Sequence, residues 1–149
     1  MRNNSAAPED QTTMRILIAD DDLTLSHFLE RRLLDRGYEV LVTQDAVQTW
    51  QAIQRQSPDL VLLDIKMPGG SGLAVLRRLK HNLHSRGVPI VVITAAEEPD
   101  TLQQVLALRP DALLRKPLQL ADLDFEISRL LAGRELAKPD GSSTLKARR

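Results

Sequence analysis

A chain of 149 residues, 42% apolar and 27% charged, has room for one hydrophobic core and the composition of a soluble globular domain. Its 20 Lys and Arg balance its 20 Asp and Glu, so no net field draws it to nucleic acid or an anionic membrane, and the absence of cysteine excludes disulfides, thiolate metal sites and a cysteine nucleophile. No apolar run reaches the ~20 residues that span a bilayer and the amino-terminal stretch lacks the apolar centre of a secretory signal, so a cytoplasmic protein with no nucleic-acid or membrane partner is expected.

Residues 1–13 (MRNNSAAPEDQTT) show no apolar periodicity and are expected to form a disordered extension. Ile16-Leu17-Ile18-Ala19 is the first continuous apolar run and stops at Asp20, Asp21 and Asp22. Leu25, Phe28, Leu29 and Leu33 then recur at helical spacing, with Asp22 a candidate N-cap and Gly37 a stop signal. Tyr38 to Val42 forms a second run, and Ala46, Val47, Trp50 and Ile53 mark a second helix. Leu60-Val61-Leu62-Leu63 ends at Asp64, which Ile65-Lys66-Met67-Pro68-Gly69-Gly70 follows. Leu73, Leu76 and Leu79 line a third helix. Ile90-Val91-Val92-Ile93 leads to Thr94, and Leu102, Val105 and Leu106 line a fourth helix that Pro99 is placed to open. Ala112-Leu113-Leu114 is a short fifth run before Lys116-Pro117. Leu120, Leu123, Ile127, Leu130 and Leu131 define a last helix, expected to end near Gly133, with a flexible tail over 133–149.

Five apolar runs alternating with five helical patterns predict an α/β fold, a parallel sheet with helices on both faces. In open sheets of this kind ligands sit outside the carboxyl ends of the strands. Asp20, Asp21, Asp64, Thr94 and Lys116 all fall there. Crowded carboxylates call for a cation, and hard oxygen donors favour Mg²⁺. An ammonium and a hydroxyl beside them suit phosphoryl oxygens, and an aspartate oxygen is a plausible nucleophile for an acyl phosphate. Singly, each residue has an ordinary explanation as a cap, a turn or a solvated loop residue. Their shared edge is what points to chemistry.

The segments ILIADDD, LVLLDIKMPGGSGL, VVITA and LLRKP resemble, in order, the motifs of the receiver domains of two-component response regulators, over about residues 14–132. The resemblance implies a flavodoxin-like five-stranded sheet of order 2-1-3-4-5. It implies that Asp64 takes a phosphoryl group from a phosphohistidine on a sensor histidine kinase or a histidine phosphotransfer protein. Mg²⁺ would be held by Asp20, Asp21, Asp64 and the backbone carbonyl of Lys66. Thr94 and Lys116 would stabilise the phosphoryl group, Thr94 would act as a switch, and the Lys116–Pro117 bond would be cis. Two positions depart from the family pattern. Leu113 stands where an aromatic ring or His usually serves as the second switch residue, and Arg109-Pro110 replaces the usual Gly-Ala.

Too few residues follow position 132 for a helix-turn-helix or an enzyme domain, so the expected output is contact with an unidentified downstream protein or onward phosphotransfer. The alternative is a receiver-fold interaction module that works without phosphorylation, motivated by Leu113 and Arg109-Pro110. A third class, a phosphohydrolase of the haloacid-dehalogenase type, calls for an acid two residues after the nucleophile, where this chain has Lys66. His27, His81 and His84 read as surface residues, and Trp50 as core. Lys66 sits where it could affect the approach of a hydrolytic water.

Overall fold

The computed structural model describes residues 13–69 and 71–137. The elements are β1 (Arg15–Ala19), α1 (Leu23–Asp35), β2 (Glu39–Thr43), α2 (Ala46–Gln56), β3 (Leu60–Leu63), α3 (Gly72–His81), β4 (Ile90–Thr94), α4 (Pro99–Ala107), β5 (Ala112–Arg115) and α5 (Leu120–Ala137). All neighbouring strands pair in parallel, in the order β2-β1-β3-β4-β5. The order reverses after β1, which leaves a crevice between β1 and β3 at the carboxyl edge.

Apart from Arg15 at the start of β1 and Thr94 at the end of β4, the three central strands are apolar because both of their faces are covered. Leu17, Ala19, Val61, Leu63, Ile90 and Val92 pack toward α2, α3 and α4. Ile16, Ile18, Leu60, Leu62, Val91 and Ile93 point the other way, toward Leu29 and Leu33 of α1 and Leu123, Ile127 and Leu131 of α5. Each fully buried side chain of this size contributes roughly 1.5–3 kcal/mol. Polar groups fix the strand starts. Asp59 accepts the Arg15 N–H at 2.8 Å, and Asp111 accepts that of Ile90 at 2.8 Å.

Caps set the helix limits. The side chains of Asp22, Asp45 and Ser71 accept N–H bonds from Leu25, Gln48 and Ala74, each cap worth about 1 kcal/mol. Gly37 ends α1 at φ +93, with its N–H on the Leu34 carbonyl and that of Tyr38 on Leu33, a left-handed stop that suits glycine. Arg109 also takes a left-handed conformation, φ +56, between α4 and β5. This is one of the two positions that replace the family's usual Gly-Ala.

Three expectations need correction. The last helix does not end near Gly133 but runs to Ala137. A helical glycine costs about 1 kcal/mol against alanine, and good helix formers such as Ala132 and Arg134 on either side offset that cost. The segment 133–137 is therefore helical rather than part of a flexible tail. Phe28, Val47 and Leu106 share the apolar spacing of their helices, which predicts burial, but are 49%, 56% and 57% exposed. They lie at the border of their apolar stripes, where helical spacing alone does not say which side the sheet covers. The remainder of the expected tail and nearly all of the 1–13 extension lie outside the described residues.

Candidate functional site

The sheet places the site. Asp20, Asp64 and Lys116 each follow the last residue of a strand, and their backbone N–H groups still bond across the sheet. Asp20 donates to Thr43 O at 3.0 Å, Asp64 to Ala19 O at 2.9 Å and Lys116 to Thr94 O at 3.0 Å. The backbones are thus held by the strand ladder while the side chains project beyond it.

Those side chains converge. Lys116 Nζ lies 2.9 Å from Asp20 Oδ2 and 3.4 Å from Asp64 Oδ2. Asp20 and Asp64 are buried. Their other oxygens are held by backbone N–H groups, Asp20 Oδ1 by Asp22 at 2.9 Å and Asp64 Oδ1 by Lys66 at 3.2 Å. Ser26, buried in α1, donates its hydroxyl to the Asp20 carbonyl at 3.1 Å. Asp21 is exposed, yet its carboxylate belongs to a triad with Asp20 and Asp64 whose ligand oxygens all lie within 4.8 Å of one another.

The electrostatics are unbalanced. Burial pushes the Asp64 carboxyl above its ordinary 3.8; the Lys66 N–H opposes this, the charge of Asp20 adds to it, and Lys116 offsets part of it. For Lys116, burial works to lower the pKa, but the hydrogen bond to Asp20 and the charges of Asp64 and Asp20 outweigh it and raise the ammonium above 10.5. One ammonium faces two buried carboxylates, with a third carboxylate at the rim. That excess of negative charge, carried on hard oxygen donors, fits a divalent cation that keeps part of its water shell.

Thr94 is fully buried at the end of β4, and its Oγ1 accepts the Ala96 N–H at 3.0 Å. Lys66 is exposed and its ammonium pairs with Glu98 at 3.3 Å, across from the β3–α3 loop to the start of α4. Leu113 is half-buried and packs with the core cluster that includes Val92 and Val105. The Lys116–Pro117 peptide bond is cis. His27, His81 and His84 are exposed, and Trp50 is buried beneath the Arg78 guanidinium, 4.1 Å from its ring centroid.

The family model "Response regulator receiver domain" matches residues 16–128. The chain belongs to the response regulator receiver family. This receiver domain is 38% identical over 116 residues to the DNA-binding response regulator MtrA of Mycobacterium bovis, covering 76% of this chain and 49% of that protein. It is 35% identical over 116 residues to the phosphate regulon transcriptional regulatory protein PhoB of Pseudomonas aeruginosa, covering 78% of this chain and 51% of that one. The chain thus spans about half the length of the curated relatives it matches. Among solved structures, a CheY-like receiver domain protein from Methanospirillum hungatei superposes with a TM-score of 0.78 at 27% identity, covering 85% of this chain and all of that one. The receiver of a histidine kinase from Syntrophus aciditrophicus superposes at 0.76 and 27% identity, covering 81% and 92%. MtrA and PhoB are named as DNA-binding and transcriptional regulators, so balanced charge does not exclude a nucleic-acid partner for proteins carrying this receiver domain. Among the described residues, no helix is long and apolar enough to cross a membrane.

The strand-end rule placed Asp20, Asp21, Asp64 and Lys116 at one edge, where their side chains converge. It missed Glu98 as the partner of Lys66, and Arg115, whose guanidinium bonds the Ala96 carbonyl at 3.1 Å. Both contacts depend on the shape of the β4–α4 loop, for which the sequence carries no periodic signal.

Proposed function

We propose that Asp64 accepts a phosphoryl group from a phosphohistidine on a sensor histidine kinase or a histidine phosphotransfer protein. The aspartyl phosphate then changes which protein this chain binds, or is passed onward. The observation that carries this reading is the sharing of one ammonium, that of Lys116, by two buried carboxylates, with Asp21 completing a triad. In the transfer, an Asp64 oxygen attacks phosphorus as the P–N bond to the imidazole breaks. The bonding pair stays on the imidazole nitrogen, which takes a proton from solvent, and an acyl phosphate remains. Hydrolysis returns the carboxylate and releases phosphate.

Asp20, Asp21, Asp64 and the Lys66 backbone carbonyl are the proposed holders of Mg²⁺, which when bound would neutralise the carboxylates and the transferring oxygens. Lys116, already within reach of Asp64, serves an equatorial phosphoryl oxygen. Thr94 turns its hydroxyl to another. Leu113 is the atypical second switch position, an aliphatic side chain that can repack against Val105 but cannot hydrogen-bond. Lys66, drawn toward Glu98, flanks the path of a hydrolytic water.

The test is incubation with Mg²⁺ and a small phosphodonor, or with beryllium fluoride, for wild type and Asp64→Asn. A response in wild type that the variant lacks is expected. A wild type that does not respond, or a variant that responds equally, would overturn the reading.

A further inference from the structure

One contact at the carboxyl edge takes no part in the chemistry above. Arg115 is the last residue of β5 and pairs in register with Thr94 of β4. It carries the only side chain of that strand able to hydrogen-bond. Although exposed, its guanidinium turns back over the sheet edge, and Nη2 donates to the Ala96 carbonyl at 3.1 Å. Ala96 is fully buried, and its N–H donates to Thr94 Oγ1 at 3.0 Å. One residue of the β4–α4 loop is therefore held at both of its polar groups, inward by Thr94 and outward by Arg115.

The frame around this contact is unequal in stiffness. The backbones of Thr94 and Lys116 are tied at 3.0 Å by a sheet hydrogen bond. Residues 95–98 have no regular structure, and α4 beyond them buries a single residue, Val105. Glu98 makes no side-chain cap bond to that helix. Fewer buried contacts make local movement easier for the loop and α4 than for the strands.

We infer that Arg115 is a positioning residue for the β4–α4 loop. Through Ala96 it holds Thr94 in the arrangement described here, and it releases the loop when the Thr94 hydroxyl turns toward a phosphoryl group on Asp64. This rests on the phosphoryl-acceptor reading and adds to it the element that answers the modification. Turning Oγ1 away leaves the buried Ala96 N–H without an acceptor, which is strongly disfavoured. Thr94 therefore does not turn alone. The loop moves with it, and the Ala96 carbonyl leaves Arg115, whose exposed guanidinium is readily resolvated. Leu113, two residues earlier and on the same face of the strand, packs against the core cluster that includes Val105 and offers no polar handle. Arg115 supplies the polar contact that this position lacks.

The experiment is NMR of the full chain with Mg²⁺ and a beryllium fluoride titration, following the Arg115 side-chain Nε–H, the Ala96 amide and the amides of Thr94 and Lys116. In wild type all four signals should shift with one midpoint. Arg115→Met should lower the half-saturating beryllium fluoride concentration by roughly two- to tenfold, the equivalent of one net hydrogen bond, and Arg115→Lys should fall between. A purely structural role would move the melting temperature and leave the midpoint unchanged. Saturation at Thr94 and Lys116 with Arg115 and Ala96 unmoved would overturn the inference alone. So would an Arg115→Met midpoint equal to or above that of wild type. Should Arg115→Met fail to fold, the wild-type shifts and Arg115→Lys still decide. The absence of any wild-type response would overturn both this inference and the phosphoryl-acceptor reading.

Discussion

Gly72→Ala probes the join between the fold and the acceptor loop. Gly72 is the first residue of α3, and its N–H donates to the Ile65 carbonyl at 2.8 Å. A Cβ placed there would lie 2.1 Å from Asp64 O, 2.8 Å from Ile65 Cα and 3.0 Å from Asp64 C. All three are backbone atoms of the segment that carries the acceptor, so no flexible side chain can yield. Ordinary carbon–oxygen contacts sit near 3.3 Å or beyond, so the helix and the loop must part by about an ångström. Alanine favours a helix by about 1 kcal/mol over glycine, while overpacking costs about 1–3 kcal/mol, occasionally more. With backbone on both sides the upper end applies, and a net loss of about 2 kcal/mol follows. That corresponds to a melting temperature lower by roughly 5–15 °C for a domain of this size. Urea unfolding followed by the single tryptophan, Trp50, measures the loss, and intact mass after exposure to a phosphodonor measures the displaced Asp64. Unchanged stability together with an unchanged phosphorylation rate would refute the reasoning.

Other outcomes follow from the charges and the backbone. The native Asp64 carboxyl is raised above 3.8, mainly by burial, so the folded state holds this proton more tightly than the unfolded chain. The stability linked to this group is complete below that value and is lost as pH rises through the raised native one. In metal-free buffer Asp64→Asn should therefore melt higher than wild type at pH 7, with the gain vanishing by about pH 3; no gain at pH 7 would contradict this. Lys116→Met leaves Asp20 and Asp64 facing each other without a cation, and metal-free stability should fall by roughly 1–3 kcal/mol. Added Mg²⁺ should recover part of that fall, so a melting temperature indifferent to Mg²⁺ would count against the triad as a metal site. Arg109→Gly relieves the left-handed φ of +56 and should raise the urea midpoint by the equivalent of up to about 1 kcal/mol, whereas a lower midpoint would show that the arginine side chain matters more than its backbone strain.

The sheet was legible because strands covered on both faces must be apolar at every position, and Leu60–Leu63 and Ile90–Ile93 announce themselves that way. The acids and the lysine were legible because a parallel sheet gathers whatever follows its strands. The helix faces were less so. Val105 and Leu106 are adjacent in a stripe that spacing treats as one, and only packing against β4 and β5 buries the first and leaves the second in solvent. Gly133 read as a stop because glycine is a weak helix former, but its neighbours carry the helix past it. The contacts of Thr94, Ala96, Arg115, Lys66 and Glu98 were not legible, since they are set by the path of a loop and not by any repeat. Arg109 shows the reverse case: the residue departs from the family pattern while the backbone keeps a conformation that suits glycine.

The central claim is that Asp64 itself receives the phosphoryl group. Intact mass of the chain after incubation with Mg²⁺ and a small phosphodonor, with the modified residue located by borohydride reduction of the acyl phosphate and peptide sequencing, tests it most directly. One added phosphoryl group, dependent on Mg²⁺, located at Asp64 and absent in Asp64→Asn, is the expected result. No added mass, or an equal addition to the Asp64→Asn variant, would contradict it.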